Sequence, residues 1–136
     1  MNSRFSISVH ILTLLATIDD ELVSSELLAS SINIHPVLVR KELSNLRNHG
    51  LVESKEGKTG GSWLAKPAGQ IRMSDIYRAV QQNSLLGKSK NQPNPRCPVG
   101  QQINQHLDNL FNEAEESLIK GLGKTTLADF CKQFSL

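Results

Sequence analysis

His35-Pro36-Val37-Leu38-Val39-Arg40-Lys41-Glu42-Leu43-Ser44-Asn45-Leu46-Arg47-Asn48-His49-Gly50 reads as one helix with two faces. Pro36 suits a first helical turn, where its missing amide removes no bond, and Gly50 suits a C-terminal cap. Val39, Leu43 and Leu46 recur at helical spacing and can pack inward. Pro36, Val37, Arg40, Lys41, Ser44 and Arg47 occupy more exposed positions of the same helix. One face packs while the other can touch something charged.

The flanks of this helix supply the rest of a small domain. Before it, Ser24 to Ser31 reads as a short helix, with Ser24 or Ser25 able to accept from its first free amides and Glu26 favouring its positive end. Earlier still, Ser3 to about Thr17 carries Phe5, Val9, Leu12 and Ala16 on one helical face, which predicts a central helix. After Gly50 the pattern changes to Leu51-Val52-Glu53-Ser54-Lys55, a glycine-containing turn through Gly57, Gly60 and Gly61, then Ser62-Trp63-Leu64-Ala65-Lys66-Pro67. That is a likeness to an antiparallel hairpin. Met73 to Val80 restores helical spacing, with Ser74 as its expected cap.

The C-terminal third differs in composition. Gly87 to Gly100 is rich in Lys, Asn, Gln, Pro and Gly, and Pro93, Pro95 and Pro98 argue for a loop or hinge. Beyond it, Ile103, Leu107, Leu110, Phe111, Ala114 and Leu118 recur at helical spacing through about Lys120, a helix of some 18 to 20 residues and about 27 to 30 Å. A stripe that long, tethered through a polar loop, can reach a second subunit as well as its own body. A last short helix is expected after Thr125 or Thr126, carrying Leu127, Phe130 and Phe134. The expected divisions are 1–82 for a DNA-binding domain, 83–98 for a hinge, 99–120 for a dimerisation helix and 121–136 for a short helical segment on the body.

Composition narrows the function. The 136 residues suffice for one compact domain with an accessory element and exclude a multidomain enzyme. Fifteen Lys and Arg against thirteen Asp and Glu leave +2, too little for a wholly electrostatic nucleic-acid binder. Between Arg40 and Arg72, however, seven basic residues face three acidic ones, a local surplus of +4. The chain shows neither an apolar run of membrane-spanning length nor the ordered parts of a secretory signal, so a cytoplasmic protein without membrane contact is expected. Two cysteines do not make the framework of a secreted domain, and both thiols are expected to be reduced at rest.

A basic second helix after a short turn, followed by a basic hairpin, matches a winged helix-turn-helix that binds double-stranded DNA. Such a helix must bury one stripe to hold its angle while it presents side chains to base edges and phosphates. Arg40 and Lys41 lead as groove-facing residues, Ser44 adds a contact, Val37 can touch a thymine methyl, and Arg47 suits a phosphate. Lys55, Lys58 and Thr59 would place charge and a hydroxyl on the wing. The wing glycines lack the Lys-Ser/Thr ending of a nucleotide-phosphate loop. His10, His35, His49 and His106 form no zinc pattern, and no nucleophile and base share a recognisable spacing, so no metal site and no enzyme activity are expected.

Leu43 through Ala65, with its helix-Gly-Leu-Val run and Gly60-Gly61 wing, resembles the winged-helix repressors of the IscR/NsrR/CymR type, the Rrf-two family. The resemblance implies a bacterial, dimeric transcription regulator whose long helix, from about Val99 to Lys120, joins two subunits on a partly palindromic site. It departs at Ser62, where an aromatic residue often follows the glycine pair. Several members hold an iron-sulfur cluster through three closely placed cysteines, yet only Cys97 occupies that region and Cys131 lies 34 residues later. His106 cannot replace two thiolates, so no cofactor is expected. Cys97, beside Arg96 and near the expected start of the long helix, is a candidate sensor of an oxidant or electrophile. Cys131, near Leu127, Phe130 and Phe134, is expected to face the core.

The sequence therefore predicts a mainly α fold with a small β-wing: a winged helix-turn-helix plus a long C-terminal dimerisation helix. The expected function is a homodimeric, sequence-specific repressor answering an oxidant or small-molecule signal. The alternative is a winged-helix protein-interaction adaptor without specific DNA binding.

Overall fold

The computed structural model describes residues 3–81, 86 and 91–136. The chain runs through α1 (Arg4–Thr17), α2 (Ser25–Ile32), α3 (Pro36–Asn48), β1 (Val52–Lys55), β2 (Gly61–Leu64), α4 (Met73–Val80), α5 (Ile103–Leu122) and α6 (Leu127–Cys131), with a 3₁₀ turn at Ala68–Gln70. The expected boundary between 82 and 83, and hinge residues 83–85 and 87–90, lie outside the described residues.

Helix α1 is central because its buried residues reach several neighbours at once. Ile11, Leu12 and Leu15 are fully enclosed, and the helix packs on α2, α3, α4, α6 and β2. Leu28 from α2, Val39 and Leu46 from α3, Val52 from β1, and Ile71, Ile76 and Leu127 complete the same core. Each such aliphatic side chain withdrawn from water contributes about 1.5–3 kcal/mol, so an almost purely aliphatic interior suffices. Ser24 caps α2 by accepting from the Leu27 amide at 3.1 Å.

The two strands pair antiparallel, from Val52 opposite Leu64 to Lys55 opposite Gly61. Val23 adds backbone bonds to Ser62 on the far edge, 2.8 Å from the Ser62 amide and 3.1 Å to its carbonyl. Ser62 is buried, and its hydroxyl lies 2.8 Å from that of Ser54. Ser62 is thus a small residue clamped between the wing and the segment that enters α2.

Three details differ from the sequence reading. Ser74 does not cap α4: it is buried inside the first turn, and the Arg72 amide instead donates to the Asp75 carboxylate at 2.9 Å. The reason is that Ile71 and Arg72 are extended and the stretch 71–73 pairs with 125–127, through the Met73 amide to the Thr125 carbonyl and the Leu127 amide to the Ile71 carbonyl. The long helix begins at Ile103 rather than Val99 and ends at Leu122 rather than Lys120. Residues 94–102 form successive turns instead, closed by the Cys97 amide on Asn94 and the Gln101 amide on Cys97. Helix α6 stops at Cys131, so Phe134 lies beyond it, its ring meeting Phe130 edge-on at 5.5 Å.

Candidate nucleic-acid interface

Helix α3 is fixed at both ends by local chemistry. The His35 side chain accepts from the Val37 amide at 3.1 Å ahead of Pro36. At the other end Gly50 adopts φ +74, a left-handed conformation that spares glycine the usual Cβ conflict, and the Leu51 amide reaches back to the Leu46 carbonyl.

Between these ends the two faces separate as their spacing requires. Val39, Leu43 and Leu46 are buried. Val37, Arg40, Lys41, Ser44 and Arg47 are exposed and Pro36 is half-buried. At about 100° per residue these six occupy an arc of about 140° on one side of the helix.

The inward face also carries Glu42, which sequence reasoning missed. Its carboxylate is 4% exposed and accepts from Arg4 Nε at 2.8 Å across the α1–α3 contact, while its second oxygen, Oε2, has no hydrogen-bond partner. The spacing Val39, Glu42, Leu46 already placed Glu42 on the packed stripe; its charge argued the other way. Turning this acid inward leaves Arg40, Lys41 and Arg47 as the charged groups of the outward face.

A groove of about 490 Å³ joins this face to the wing and the start of α2. Arg40, Ser44 and Arg47 of α3 line it together with Lys55 and Lys58 of the wing, and Glu26 and Glu56 line it as well. Lys41, Val37 and Pro36 stand outside this groove on the open side of α3, and Thr59 is exposed at the wing tip. The tip needs Gly60, where a Cβ would fall 2.0 Å from the Lys55 carbonyl oxygen. The groove therefore gathers five of the nine residues expected to meet DNA.

The expected dimerisation residues lie along α5, which buries none of its residues in this chain. Ile103, Leu107, Phe111 and Leu118 are half-covered, Ala114 is exposed, and Leu110 is 57% exposed. Tyr77 and Gln81 of α4 both donate to Glu115, and Arg72 Nη1 donates to the Gly123 carbonyl at 2.7 Å. Burial, then the bond to Glu115 and its negative charge, pushes the Tyr77 hydroxyl above its ordinary range.

The two cysteines are distinct. Cys97 is exposed in the turns ahead of α5, six residues before Ile103. Cys131 is half-buried, and burial pushes its thiol up against a smaller opposing effect of a Thr13 hydrogen bond. Among the described residues no three His, Cys, Asp or Glu side chains converge as metal ligands.

The model of the Rrf2 family, described as an iron-dependent transcriptional regulator, matches residues 1–133. The chain belongs to the Rrf2 family. YwnA, a candidate HTH-type transcriptional regulator of Bacillus subtilis (strain 168), is 37% identical to this Rrf2 chain over 129 residues, covering 95% of each. A crystal structure of a candidate transcriptional regulator from Lactobacillus plantarum is 27% identical, with a TM-score of 0.80 over 96% of this chain and 88% of that one. The global cysteine regulator CymR of Bacillus subtilis shares the fold at a TM-score of 0.72 and 21% identity, over 99% of this chain and 98% of its own. The Rrf2 chain is thus a transcriptional regulator with a winged-helix fold, and its relatives are regulators rather than enzymes.

Proposed function

We propose that this Rrf2 protein is a homodimeric repressor that occupies a partly palindromic operator, with α3 of each subunit in the major groove and each wing on the flanking backbone. One observation carries the reading: α3 turns its single acid, Glu42, inward and presents Arg40, Lys41, Ser44 and Arg47 outward, continuous with Lys55 and Lys58 across a groove. Arg40 and Lys41 read base edges, Ser44 and Val37 add a hydroxyl and an apolar contact, and Pro36 starts the helix close to the duplex. Arg47, Lys55, Lys58 and Thr59 hold phosphates, which set register without carrying sequence information.

The dimer is supported by α5. Its stripe of Ile103, Leu107, Leu110, Phe111, Ala114 and Leu118 has no buried member in the single chain. An apolar cavity of about 680 Å³ opens beside its C-terminal end, lined by Phe5, Val9, Leu122, Phe130 and Phe134 among others. A second copy of α5 supplies the apolar surface both features lack.

Among the described residues, the iron of the family description finds no converging donor set. Cys97 and Cys131 stand on separate elements, and a cluster bridging Cys97 to its symmetry mate needs further ligands. The reading is a regulator without its own cluster, acting in the cytoplasm; no helix among the described residues is long and apolar enough to cross a membrane. Exposure of Cys97 is compatible with an oxidant signal acting there, and DNA affinity unchanged by its selective oxidation would remove that signal from the account.

Selection of bound fragments from random genomic DNA tests the proposal, followed by salt titration on the recovered site and on a scrambled control. A preferred site lost on Arg40→Ala or Lys41→Ala is expected. Equal affinity for site and scramble would instead favour the protein-interaction adaptor.

A further inference from the structure

Among the described residues, helix α5 meets the body chiefly along α4. None of its residues is buried, and Leu122 at its C-terminal end packs against the core. Its C-terminal end is tied by Arg72 to the Gly123 carbonyl. Eight residues earlier, roughly 12 Å along the axis, Glu115 takes hydrogen bonds from both Tyr77 and Gln81. Two tethers that far apart define a direction; one alone leaves a pivot.

The same turn of α4 is also tied to the recognition helix. Asn45, on the α4 side of α3, donates from Nδ2 to the Ala79 carbonyl at 2.8 Å, satisfying one of the free carbonyls of that helix end. The Tyr77 ring is steadied by an edge contact with Phe5 of α1, 6.3 Å between centroids. The last turn of α4 therefore joins α3 on one side to α5 on the other.

We propose that Glu115 is a positioning residue for DNA recognition: by fixing the angle of α5 to the body through Tyr77 and Gln81, it sets the spacing of the two half-sites that the dimer accepts. The inference rests on the homodimeric reading above. Geometry gives the size of the effect. Helix α5 is about 30 Å long, so a swing of about 10° displaces its far end by about 5 Å, more than the ~3.4 Å rise of one base pair.

The test is affinity selection with the full-length protein on operators whose half-sites are separated by every spacing over one helical turn. The parent should favour one spacing over its neighbours by about tenfold or more, and Glu115→Ala should flatten that to within about threefold, with the base preference inside each half-site unchanged. Glu115→Gln keeps an acceptor oxygen and should keep the parent profile. A Glu115→Ala protein with the parent spacing profile, or one that loses base preference along with spacing, overturns the proposal. If that variant does not fold, the double substitution Tyr77→Phe and Gln81→Ala removes the donors without altering α5; a parent-like profile there overturns it equally. A parent with sequence preference but no spacing preference would instead contradict the homodimeric reading.

Discussion

The buried ion pair behind the recognition helix makes the sharpest prediction about stability. Arg4→Met leaves the Glu42 carboxylate, 4% exposed and already carrying one unpartnered oxygen, without its cation. Breaking a buried pair from one side costs about 3–5 kcal/mol. The Arg4 side chain is 19% exposed, so solvent at its edge brings the expected cost to the lower end, about 3 kcal/mol. That is a large share of the roughly 5–15 kcal/mol that holds a domain folded. Glu42→Met should cost less, about 1 kcal/mol, because the charge it leaves behind, Arg4, is 19% exposed and can reach solvent, whereas Arg4→Met strands a buried one. Urea unfolding of the parent, both single variants and the double variant closes the cycle, which separates the pair from everything else Arg4 touches. The double variant should match Glu42→Met, giving a coupling of about 3 kcal/mol, the whole of the Arg4→Met effect. Additive single effects, or a Glu42→Met loss as large as that of Arg4→Met, would refute the reasoning.

Leu110→Asp should give a folded monomer by light scattering, since Leu110 is 57% exposed in the single chain and its loss spares the core; a dimer of unchanged stability would count against the α5 interface. Gly60→Ala should cost about 2 kcal/mol by driving a Cβ into the Lys55 carbonyl, whereas Gly69→Ala, with open space around it, should be close to neutral. Comparable thermal shifts for the two would show that the wing turn is not constrained as described. With a disulfide reagent near pH 8, Cys97 should react about tenfold faster or more than Cys131, because Cys97 is exposed while burial keeps the Cys131 thiol protonated to higher pH. Equal rates in the two single-cysteine variants would contradict that ordering.

Much of the molecule was legible from periodicity. The recognition helix, the wing and the central α1 lie where apolar spacing and glycine placement put them, because in each a local pattern and the tertiary packing agree. The misreadings share a cause: a distant segment decided the local outcome. Ser74 looked like a cap until residues 125–127 paired with 71–73 and moved the helix start. Glu42 was not singled out because its partner, Arg4, lies 38 residues away. The departure at Ser62 stands, and its small buried side chain sits where the backbone bonds to Val23. The α5 start was misplaced because turns at 94–102 satisfy their own amides before the helix begins.

The central claim is that the outward face of α3 reads base sequence. The most direct measurement compares parent and Arg40→Ala on the selected operator and on variants of it at each half-site position, at fixed salt. The account predicts that Arg40→Ala lowers the preference at one symmetric pair of positions by about tenfold to a hundredfold, while Lys58→Ala weakens all sequences alike and reduces the salt dependence. Uniform weakening by Arg40→Ala, with the preference at every position intact, would contradict it.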